Sequence, residues 1–145
     1  MNVTGGCQCG AIRYATTLAT DEAYFCHCRM CQRATGGVAA ALVNARRDAT
    51  TWTTREPDRY VSSSFAKRGH CGKCGTPLTF EYNEGSEMLD LTVGSLDDPS
   101  VVRLTSHFGV ESWVPGWIVH DGLPGMRTDE HPPLVERWAA VNKPA

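Results

Sequence analysis

The chain has 145 residues, 41% hydrophobic and 21% charged, enough to bury one core of ordinary domain size without disulfide staples. A net charge of −2, with basic residues scattered among acidic ones, gives no electrostatic footprint for nucleic acid, and no apolar run approaches the roughly 20 residues of a membrane span. The opening MNVTGGCQCG lacks the basic-then-apolar layout of a signal peptide, so a cytoplasmic, reducing setting is expected.

In chain order, β-branched and aromatic residues between Gly, Asn, Asp and Pro breaks predict strands over Ala11–Tyr14, Ala23–Cys26, Val38–Val43, Tyr60–Ser64, Pro77–Tyr82 and Met88–Val93. Helical pieces are expected only at Met30–Thr35, after Asp97-Asp98-Pro99, and over Leu134–Val141. None is long enough to organise the fold. A mainly β domain with antiparallel sheets and short helical turns follows, with residues 1–145 read as a single domain. Residues 122–145, with Pro124, Pro132, Pro133 and Pro144, are expected to form an irregular strap. Trp113 and Trp117 are expected to pack in the core.

Seven cysteines in a reducing compartment read as thiolate ligands rather than disulfides, and an odd number cannot all pair within one chain. They fall into three groups: Cys7 and Cys9, then Cys26, Cys28 and Cys31, then Cys71 and Cys74. The CGKCG segment around Cys71 and Cys74 reads as a zinc knuckle, whose glycines permit a tight turn with N–H groups aimed at sulfur. Such a knuckle supplies half a tetrahedron. In an extended CxC, residues i and i+2 project to one side, so Cys7 and Cys9 can supply the other half.

Four thiolates make a closed, structural site, whereas Cys26, Cys28 and Cys31 leave a fourth position open, as in catalytic zinc. A histidine completing the triplet is the alternative, with His27, His107 and His120 all available.

Three segments, GGCQCGAIRY at 5–14, CHCRMCQRATGG at 26–37 and KRGHCGKCGTPL at 67–78, resemble the glutathione-dependent formaldehyde-activating enzyme family, the Gfa or CENP-V/GFA domain. Weaker agreement continues through GSLDDP at 94–99, SHFGVESW at 106–113 and DGLP at 121–124. The chain departs from the family pattern at His70, and at Gly125-Met126 after DGLP.

The resemblance implies an Mss4-like β-tent fold with two zinc ions per chain. It places Cys7, Cys9, Cys71 and Cys74 as structural zinc ligands, and Cys26, Cys28 and Cys31 as ligands of the catalytic zinc. The activity it implies is condensation of formaldehyde with glutathione, a carbon–sulfur lyase reaction in reverse. Three thiolates make a weak Lewis acid, so a soft thiol ligand suits the open position better than water activation.

Glutathione carries two carboxylates, and Arg29, Arg33 and Lys67 are the candidate cations for them, with Arg68 behind. The competing class of function is a non-catalytic zinc-stabilised carrier of glutathione or aldehyde, or a protein-interaction module. Oligomeric state is not legible in the sequence.

Overall fold

The computed structural model describes residues 1–142, so Pro144 lies outside the described residues. The chain divides into two compact units, Met1–Ala23 with Ala41–Arg103, and Tyr24–Ala40 with Leu104 onward. Strands are labelled β1 (Asn2–Gly6), β2 (Arg13–Thr17), β3 (Glu22–Cys26), β4 (Ala40–Arg46), β5 (Thr51–Trp52), β6 (Asp58–Ser63), β7 (Ala66–His70), β8 (Pro77–Tyr82), β9 (Met88–Thr92), β10 (Arg103–Phe108) and β11 (Gly125–Met126). The helices are α1 (Arg29–Thr35) and α2 (Pro132–Val141).

The first unit holds a three-stranded sheet, β1-β2-β5, and a longer ladder in the order β4-β9-β8-β7-β6. Every ladder in this unit is antiparallel. Ile12, Tyr14, Leu18, Val43, Leu78 and Leu91, all at most 2% exposed, centre its core, and Cys7 and Cys71 belong to the same cluster. Burying each large aliphatic side chain contributes about 1.5–3 kcal/mol before entropy is charged against it. Arg13 and Thr4 bind Asp97 and hold its carboxyl down near 2, which ties the β1-β2 hairpin to the turn after β9.

Strand β7, AKRGH, is missing from the sequence expectation because its composition is polar. Pairing on both sides explains it. Register places Tyr60, Arg68, Phe80, Asp90 and Asn44 in one row across five strands, and the Arg68 guanidinium lies 4.9 Å from the Phe80 ring centroid. Glu81, on the opposite face, accepts from Arg59 Nε at 2.8 Å and from Thr79 Oγ1 at 3.0 Å. A charged side chain can occupy an inner strand when its stem packs and its head is paired.

In the second unit β3, β10 and β11 lie side by side in the order β11-β10-β3. The β10-β11 pair is parallel, two residues long, with His107 opposite Gly125. The stretch expected as an irregular strap holds β11, a 3-10 turn at Thr128–Glu130, and α2, which begins on Pro132 and takes in the expected Leu134–Val141. Proline suits that first helical position because its missing N–H would have no partner there. The stretch after Asp97-Asp98-Pro99 is a single 3-10 turn, Pro99–Val101, capped by the Asp98 side chain. No helix among the described residues is long and apolar enough to cross a membrane.

Candidate metal centres

The first cluster lies wholly in the first unit. Cys7 follows β1 and opens a turn in which Gly10 N–H donates to the Cys7 carbonyl at 3.1 Å, while Ile12 N–H donates to the Cys7 sulfur at 3.2 Å. Cys71 and Cys74 sit in the β7-β8 connection. There Cys71 N–H donates to the Thr76 carbonyl at 2.9 Å and Gly75 N–H to the Cys71 carbonyl at 2.7 Å. Gly75 has φ +82, a conformation that costs a side-chain-bearing residue, so the knuckle glycine has the backbone role expected of it.

The sulfurs of Cys7, Cys9, Cys71 and Cys74 lie within 4.8 Å of one another. Cys7 to Cys9 is 3.6 Å and Cys9 to Cys71 is 3.8 Å. Thiolates about 2.3 Å from a tetrahedral ion are separated by about 3.8 Å, so the four sulfurs fit one ion.

The surroundings of Cys74 favour anionic sulfur. Thr76 lies 3.2 Å from the Cys74 sulfur, and its hydroxyl and backbone N–H draw that thiol down to about 5. Arg55 reaches the Cys71 sulfur at 4.0 Å and is held by Asp58 at 3.1 Å. The Asp58 carboxylate in turn accepts from Gly72 N–H at 2.7 Å.

The second cluster lies wholly in the second unit. Cys26 ends β3, Cys28 caps α1 and Cys31 lies one turn into that helix, which is how a six-residue segment folds three sulfurs inward. The Cys28 sulfur accepts from Cys31 N–H at 3.4 Å, and lies 3.4 Å from the Cys26 sulfur. All three sulfurs are within 4.8 Å of one another, and no histidine nitrogen or carboxylate among the described residues completes the set. The Cys26 thiol is pushed far up by the neighbouring Cys28 and Cys31 sulfurs and by burial. Sulfurs this close ionise together only around a cation, and this donor set suits a thiophilic one such as zinc.

Each histidine raised as a fourth ligand has other company. His27, 1% exposed, has Nε2 at 2.9 Å from His107 Nδ1, and His107 Nε2 is 2.9 Å from an Asp121 oxygen. Burial, and then the neighbouring His107, push the His27 pKa down. Trp113 is sandwiched, with its ring 4.1 Å from His27 and 4.5 Å from His120. Trp117 is 73% exposed, which corrects the expectation that both tryptophans pack in the core. The expectation failed because an apolar residue type alone does not say whether a loop turns it inward.

Arg29 and Arg33 are exposed on α1, the helix that carries Cys31. Lys67 stands on β7 in the first unit, opposite Glu81 in the β7-β8 register, and Arg68 is buried against Phe80.

Two residues that matter here escaped notice in the sequence. Gln32 is buried, and its side-chain amide donates to the His27 carbonyl at 2.7 Å and to the Ser112 carbonyl at 3.0 Å. Gly109 has φ +67, and a Cβ there would lie 2.8 Å from the Cys28 nitrogen and 3.1 Å from its Cβ. Gly109→Ala is therefore expected to cost about 1–3 kcal/mol of stability and to shift Cys28. Thermal unfolding beside zinc titration checks this. Wild-type stability with wild-type affinity for the second equivalent of metal would refute it.

Residues 2–112 match the family described as glutathione-dependent formaldehyde-activating enzyme. Over 81 residues the chain is 31% identical to a Schizosaccharomyces pombe protein named as an uncharacterized lyase, covering 56% of this chain and 58% of that protein. The match thus spans little more than half the length of that relative. The crystal structure of a Rhodobacter sphaeroides protein has a TM-score of 0.58 to this chain at 24% identity, covering 70% of this chain and 99% of the other. That likeness shows the fold alone.

Proposed function

Because the chain belongs to the glutathione-dependent formaldehyde-activating enzyme family, we propose that it is a zinc-dependent carbon–sulfur lyase-type enzyme. In this reading it forms and cleaves the adduct of formaldehyde with glutathione or a related small thiol. The observation that carries the proposal is the division of the cysteines into one set of four and one set of three with no fourth protein ligand among the described residues. In this reading Cys7, Cys9, Cys71 and Cys74 hold a structural zinc, and Cys26, Cys28 and Cys31 hold the catalytic one.

When bound by three thiolates, zinc supplies an open, soft position at which a thiol sulfur ionises near neutral pH. The chain's residues do the rest. Cys28 and Cys31 are held by the first turn of α1, and Gly109 leaves room for the backbone of Cys28. Arg29 and Arg33 present exposed guanidinium groups for substrate carboxylates. In the addition, a thiolate sulfur bonds to the aldehyde carbon, the C=O π pair moves to oxygen, and that oxygen takes up a proton equivalent to the one the thiol released.

The test is metal quantification on the purified chain with exchange spectroscopy of S-hydroxymethylglutathione. About two zinc ions per chain are expected, the more labile one responding to glutathione, and adduct exchange should exceed the uncatalysed rate. Two zinc ions without accelerated exchange would favour the carrier or interaction-module reading. One zinc per chain would sink the proposal.

A further inference from the structure

The three sulfurs occupy one side of the CHC segment, and what holds the other side is a buried chain of polar groups. Alternation along an extended segment sends Cys26 and Cys28 one way and Phe25 and His27 the other. Accordingly the Cys26 and Cys28 sulfurs are 3.4 Å apart, while the His27 ring packs with Phe25, His107 and Trp113. His27 is gripped at every polar atom but one. Its N–H donates to the Phe108 carbonyl at 2.8 Å, its carbonyl accepts from Gln32 at 2.7 Å, and its Nε2 lies 2.9 Å from His107 Nδ1. His27 Nδ1 is buried with no hydrogen-bond partner.

Counting donors and acceptors gives this chain a direction. Both Asp121 oxygens lie near His107 Nε2, at 2.9 and 3.1 Å, and Oδ1 also accepts from Leu123 N–H at 3.0 Å. A carboxylate only accepts, so His107 donates from Nε2, and in its neutral form it presents a lone pair at Nδ1. His27 must then donate from Nε2, which leaves its Nδ1 without a proton. The reverse direction would place an N–H on His27 Nδ1, stranding a buried donor with no acceptor.

We propose that Asp121, acting through His107, is a positioning residue that locks His27 as its Nε2–H tautomer behind the CHC segment. The hydrogen bond that fixes this tautomer also holds the ring against His107 and Trp113, on the side of the segment away from the sulfurs, so the fourth position stays open to a substrate sulfur. This rests on reading Cys26, Cys28 and Cys31 as an open metal site. His27, His107 and Asp121 thus serve the site from its reverse side and touch neither metal nor substrate.

Two-bond proton–nitrogen correlation spectra of zinc-loaded protein carrying labelled histidine read the tautomers directly. Expected are Nε2–H forms for both His27 and His107 in the wild type. Asp121→Asn, which can donate as well as accept, should erase the pure Nε2–H signature of His27. It should also slow adduct exchange about tenfold with zinc content retained, the scale on which outer-shell partners act. Asp121→Glu, which keeps an obligate acceptor, should restore the tautomer.

An Nδ1–H signal for His27 in the wild type overturns the proposal, as does an Asp121→Asn exchange rate within twofold of wild type. Should Asp121→Asn lose zinc, the wild-type tautomers decide without it. If the wild type shows no exchange at all, the enzymatic reading fails alone, and the lock is judged on the tautomers.

Discussion

Cys71→Ser is expected to destabilise the chain by about 4 kcal/mol or more and to remove one equivalent of metal, since loss of a structural ion ranks among the largest single-residue effects. Two terms act together. Cys71 is 0% exposed and belongs to the core cluster, so a hydroxyl placed there is buried among apolar neighbours and is a poor metal ligand. The four sulfurs also join the turn after β1 to the β7-β8 connection, with Cys9 and Cys71 separated by 62 positions. An ion that closes so long a loop stabilises the folded chain against a more extended unfolded one. Thermal unfolding with and without a chelator measures the effect. A melting temperature unchanged by both substitution and chelation would show that no ion holds this corner.

Cys28→Ser is expected to do the opposite: abolish adduct exchange while leaving the first unit folded. Cys28 lies outside the core cluster, and its sulfur serves the three-thiol set and the first turn of α1. Serine can keep the helix cap, since its hydroxyl accepts from the Cys31 N–H as a thiol does, but it is a weak ligand for a soft ion. Metal should fall from about two equivalents to about one. The exchange rate should fall beyond the 10–100-fold expected for an outer-shell change. Unaltered exchange with half the metal would mean that any chemistry occurs elsewhere. The contrast matters because Cys71→Ser lowers activity through folding, whereas Cys28→Ser lowers it with folding preserved.

The strands with alternating or β-branched sequence were legible, and Pro77–Tyr82 is found with its expected bounds. Of the first hairpin only one strand was expected, Ala11–Tyr14 where β2 runs Arg13–Thr17, and β1, Asn2–Gly6, was not expected at all. The turn after Cys7 extends to Ile12 because two of its N–H groups are satisfied by the Cys7 carbonyl and sulfur. Strands β7 and β10 were missed because AKRGH and RLTSHF carry polar residues at positions where pairing partners, and no local pattern, decide burial. Propensity read along one strand cannot register a guanidinium lying over a phenyl ring two strands' worth of sequence away.

By itself, the sequence determined the grouping of the cysteines. CxC, CxCxxC and CxxC are local geometries, set by alternation and by one helical turn, so their capacity to share an ion follows from spacing alone. Only the tertiary structure decided what stands behind those sulfurs. The His27 to His107 and His107 to Asp121 contacts join residues 80 and 14 positions apart, and Gly109 makes room for Cys28 from a distant turn. Hydrogen-bond direction, stacking and a missing Cβ are properties of atoms brought together by the whole fold. No periodicity along the chain encodes them.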